Sequence, residues 1–156
     1  MDRVDKVIWV LPFLGVLDIS STLYAESLGY PLALYEAGSF ARFFASARLT
    51  YVYIVIYLLS MSAFAYVLWF IKNKKLDSSL LFDKVIFLLL VGVACYIYMR
   101  LTAAFIGNFS LSYFVTGRVS WFSVSVLTYL STAFSLTLYL WRDVGMWVKA
   151  SDNKKK

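Results

Sequence analysis

Long stretches of apolar side chains alternate with short polar segments along this chain. Four of them can cross a hydrocarbon layer of ~30 Å as helices rising ~1.5 Å per residue: residues 7–24, 49–71, 85–106 and 121–141. The pattern predicts an all-α, polytopic integral membrane protein, a four-helix transmembrane bundle built from residues 1–156 as a single membrane domain. Between the first two runs, residues 31–48 (PLALYEAGSFARFFASAR) are too polar for a span and too aromatic for a free loop. They are expected to lie at the outer interface, as a short amphipathic helix or as an extension of the second span. Pro12 removes one backbone hydrogen bond from the first helix and is expected to kink it.

Composition sharpens this picture. Of 156 residues, 62% are hydrophobic and only 15% charged, more apolar side chain than one soluble core can hide. The chain has no histidine and one cysteine, Cys95, which excludes His-ligated metal or haem, Ser-His and Cys-His nucleophile pairs, and intrachain disulfides. No metal, cofactor or catalytic set is expected.

The net charge of +6 would point to nucleic acid in a soluble protein, but here the basic residues flank apolar runs, so no nucleic-acid partner is expected. Arg3, Lys6, Lys72, Lys74, Lys75, Lys84, Arg142, Lys149 and Lys154 to Lys156 fall at one end of the four-span layout, whereas Arg42, Arg48 and Arg118 fall at the other. Positive charge beside helix ends favours the cytoplasm, so both termini and the 72–84 loop are predicted inside the cell membrane. Trp9, Trp69 and Trp141 near the inner boundary and Trp121 near the outer one agree with the interfacial preference of tryptophan. Asp2 and Asp5, with no A-x-A-like site after them, argue against a cleaved leader. Asn108-Phe-Ser110 reads as an N-x-S sequon in the outer loop, expected to be a chance occurrence.

Polar groups inside the spans are the candidates for function. A charge at the bilayer centre costs about 2.5 to 3.5 kcal/mol on insertion scales, so the ones that persist face a partner, a cavity or a substrate. Asp18 and Arg100 qualify. Counted from the inner boundary, they lie ~18 Å and ~22 Å along their helices, a similar depth, so they can pair if those helices are neighbours. Asp18, Thr22 and Glu26 follow at i, i+4 and i+8 and share one helix face, which Gly15 continues. The last span carries a hydroxyl stripe, Ser125, Thr128, Thr132 and Ser135, and the second offers Tyr53, Tyr57 and Ser60. Such stripes either line a polar cavity or hold helices together. Glu36 and Arg48 belong to the headgroup region, and Arg42 is expected to meet lipid phosphate.

The stretch Leu17-Asp18-Ile-Ser-Ser-Thr-Leu-Tyr24, followed by Gly29, Tyr35-Glu36-Ala37 and Ala41-Arg42, resembles a family of small prokaryotic membrane proteins known only as a domain of unknown function. That family carries an L-D-x-x-[ST]-T stretch in its first helix, then a glycine, then a Glu followed by Asn-Pro; Gly38-Ser39 stands here in place of Asn-Pro. The resemblance implies a prokaryotic host and a paired acidic site at Asp18 and Glu36, and it brings no reaction with it.

Three functions compete. The first is an accessory subunit or assembly factor of a larger membrane complex, with the bilayer and other membrane subunits as partners. The second is a small cation- or proton-coupled carrier using Asp18 with Arg100. The third is an intramembrane enzyme using Asp18 and Glu36 as acid and base.

Overall fold

The computed structural model describes residues 2–30, 39–77, 80–110 and 121–149, and among them every regular element is helical. In chain order these are α1 (Arg3–Ser27), α2 (Ser39–Ser46), α3 (Thr50–Lys74), α4 (Leu81–Phe109) and α5 (Trp121–Lys149). Helices α1, α3 and α4 and residues 123–149 of α5 are long and apolar enough to cross a membrane. All four expected spans are therefore present, each extended by several residues into the flanking polar sequence. Apolar side chains set the spans, and the helices run on for a few residues into the polar flanks, where water and headgroups can satisfy the end groups of the hydrogen-bond ladder.

Helix α1 is capped at both ends by its own neighbouring residues. Asp2 begins α1 by accepting the Asp5 backbone N–H at 2.8 Å, and Gly29, at φ 89°, ends it: the Tyr30 N–H reaches back to the Ala25 carbonyl at 3.2 Å. Between them the helix continues through Pro12. Helix α2 lies inside the expected interfacial segment and packs on α3. It ends in the same way as α1, the Leu49 N–H meeting the Phe44 carbonyl at 2.8 Å, but the left-handed residue is Arg48, at φ 60°. Glu36 and Arg118 lie outside the described residues.

Helix α1 is the hub. It packs along α4 and α3 and touches α5, while α5 packs on α4, and α3 meets α4 only slightly. The apolar core comes from all four long helices: Val4, Ile8 and Leu11 of α1, Ala65 and Leu68 of α3, Phe87 and Leu90 of α4, Leu136 and Leu140 of α5. Phe87 stacks on Trp147 at 4.0 Å between ring centroids. Helix α3 closes on α1 at Gly15, where a Cβ would sit in ordinary contact, 3.4 Å from Tyr57 Cε1 and 3.5 Å from Met61 Cγ, and a longer side chain would not fit. The remaining faces carry bare leucine at mid-helix, with Leu59, Leu89 and Leu127 about two-thirds exposed (65%, 65% and 67%), as suits side chains meant for lipid or a partner.

Candidate functional site

Two polar layers close the bundle, one toward each end. In the first, Lys72 of α3 is buried and its Nζ donates to Asp2 Oδ2 at 2.6 Å and Asp5 Oδ1 at 2.8 Å on α1. Asn73 Nδ2 adds a bond to the same Asp5 oxygen at 3.0 Å. From the other side, the Arg3 backbone N–H donates to Asp143 Oδ2 at 2.8 Å, and the Arg3 guanidinium donates to the Tyr139 carbonyl at 2.8 Å. These contacts tie α1 to α3 and to α5 at one end. Reading Lys72 and Arg3 as topology charges missed this role. The complementary signal was present, because antiparallel spans bring the start of α1, with its two acids, beside the basic end of α3.

The second layer surrounds Asp18. Its Oδ2 accepts the Tyr57 hydroxyl at 3.1 Å, and its backbone carbonyl accepts the hydroxyls of Ser21 at 2.8 Å and Thr22 at 2.9 Å. Asn108 of α4 donates its amide to Ser21 Oγ at 3.0 Å and Thr22 Oγ1 at 2.8 Å. The nitrogen that a sequon would present for glycosylation is thus spent inside the bundle. Beside Asp18, between α1 and α3, lies a space of about 20 Å³ next to Tyr53 and Thr50, room for about one water. Glu26, on the same face of α1, is exposed beyond the layer.

Asp18 and Arg100 do not pair. Their helices are neighbours, as the pairing required, but Arg100 is exposed on the outer face of α4 and forms no ion pair with a described residue. Their depths also differ. Asn108 lies opposite Ser21 and Thr22, and Phe109 lies 5.3 Å from Tyr24, so α4 runs parallel to α1. Stepping back ~12 Å along α4 from Asn108 places Arg100 level with Phe13 and Leu14, below Asp18 by ~6 Å. Counting from each helix's apolar start could not give this register, which is decided by how α4 slides along α1.

The hydroxyl stripe of α5 divides. Thr128 is buried, and the Ser125 hydroxyl is buried without a hydrogen bond among the described residues. Thr132 and Ser135 instead line a partly open groove of about 590 Å³ between α1, α4 and α5, with Tyr98 and Thr102 on its α4 side. Lys6, Ser131, Ser135 and Tyr139 on its border are exposed. Among the described residues no cluster of three or more potential metal ligands forms. Arg42 and Arg48 are both exposed, on α2 and just after it.

The fold and these layers define a class, an all-helical protein with four helices fit to span a membrane. Neither a family model, nor a characterised protein sequence, nor a solved structure matches the chain.

Proposed function

We propose that this chain is a non-enzymatic accessory subunit or assembly factor of a larger membrane complex, with both termini and the 72–84 loop in the cytoplasm. The observation that carries this reading is the groove between α1, α4 and α5. Thr132 and Ser135 line it, and their hydroxyls make no side-chain hydrogen bond to a described residue. In lipid such hydroxyls find their partners on neighbouring helices, at about 0.6 kcal/mol each on average. A groove of this kind along the side of a bundle suits a helix of another subunit. The orientation rests on the basic residues gathered at the Lys72 end. A carrier built on an Asp18–Arg100 couple loses support, because the two groups face different surroundings and Asp18 adjoins space for about one water.

The test is purification of the tagged protein from its own membrane in mild detergent, with mass spectrometry of what co-elutes. A stoichiometric membrane-protein partner is expected, and it should be lost when the groove is filled by Ser135→Trp. A monomer with no partner in wild-type preparations overturns the reading.

A further inference from the structure

Arg100 is the one charge on a long apolar face of α4. Val85, Leu89, Gly92, Val93, Tyr96 and Arg100 are all exposed and recur at helical spacing. Arg100 lies ~12 Å along α4 from Asn108 and ~22 Å from the inner start of the apolar run at Val85, within the apolar length of the helix and in its outer half. Two turns below it on the same face, Gly92 has open space around the position of a Cβ, which leaves room for a second helix to approach closely.

We propose that this face docks a transmembrane helix of a different protein carrying an Asp or Glu at the depth of Arg100, which pairs with it while Gly92 admits the partner's backbone. The proposal rests on the subunit reading above and names a second contact, separate from the groove. Charge complementarity selects the partner, since a buried guanidinium is matched best by a carboxylate. Among the described residues, a second copy of this chain does not supply one at that depth. Among the described residues its outward-facing acids are Asp2, Glu26 and Asp77, all near helix ends, whereas Asp18 is half-buried against Tyr57.

The test places a photo-crosslinking amino acid at Tyr96 in the full chain, in its native membrane, with and without Arg100→Leu and, separately, Gly92→Phe. Both substitutions fall on an exposed face and leave the bundle's internal contacts intact, which unchanged helical content and elution volume will verify. The expected result is an adduct to another protein's span containing an Asp or Glu level with Arg100, reduced at least tenfold by either substitution. Exchanging the charges, Arg100→Asp against an Arg at the partner position, should restore it. Adducts only to lipid, only to a second copy, or to a span without a carboxylate overturn the proposal, as does a yield indifferent to Arg100→Leu. If the co-purifying partner persists and still depends on Ser135 while Arg100→Leu changes nothing, only this inference fails. If no partner co-purifies at all, the subunit reading fails with it.

Discussion

Lys72 shows how much a single side chain in this protein depends on its surroundings. Its side chain is 3% exposed and that of Asp5 is 7% exposed, so each neutralises a charge that water no longer solvates. Lys72→Met strands the buried carboxylate of Asp5, while the exposed one of Asp2 stays solvated, and should cost about 3 to 5 kcal/mol, read as a lowered Tm in detergent. Lys72→Met combined with Asp5→Leu removes both buried charges and should recover most of that loss; a double variant as unstable as the single one would contradict the pairing. Arg48 carries a different strain. It occupies the left-handed region, where a non-glycine residue costs roughly 1 to 2 kcal/mol, at the position that glycine takes after α1. Arg48→Gly should raise Tm modestly and Arg48→Val should lower it, since Cβ branching worsens the clash. The sequence showed a basic residue at the membrane edge, but nothing in it announced a left-handed arginine.

Between elements, the contact of α1 with α3 decides whether the bundle forms. Gly15 sits where Tyr57 and Met61 close over it, and Tyr57 then reaches Asp18. Gly15→Leu should push α3 away, break the Tyr57–Asp18 bond and leave a chain that aggregates or elutes heterogeneously on gel filtration in detergent. Gly15→Ala meets only ordinary van der Waals contact at 3.4 Å and should be tolerated. The shared face of Gly15, Asp18 and Thr22 was legible from helical spacing, because i, i+3 and i+4 geometry belongs to one helix alone. Asn108 was not, because its partners Ser21 and Thr22 lie on another helix and no spacing within α4 records them. The hydroxyl stripe of α5 was visible as a stripe, yet its division into a buried half and a groove-lining half depends on where α5 rests on α4 and α1.

At the scale of the molecule, the charge asymmetry makes a topology claim that labelling can check. In a Cys95→Ala background, single cysteines at Lys75 and at Lys84 should react with a membrane-impermeant maleimide only from the cytoplasmic side. A cysteine at Arg42 should react only from outside. Equal labelling of one position from both sides would show dual insertion and remove the orientation on which the cytoplasmic placement rests. The same bundle leaves α3 with only Ala65, Leu68 and Lys72 buried along its length, so most of its surface is available to lipid or to a neighbouring subunit.

The number and approximate positions of the four long apolar helices follow from the sequence by itself, because hydrocarbon offers backbone groups no water and long apolar runs then have to be helical. The shared face of Asp18 and Thr22 follows as well, since each helix dictates its own periodicity. Only the tertiary structure decided which helices touch and how far each slides along its neighbour. Rotation and register come from side chains interlocking across helices, Gly15 against Tyr57 and Met61, Phe87 against Trp147, Asn108 against Ser21 and Thr22. That register set Asp18 against Tyr57 on one side of the bundle and turned Arg100 outward on another.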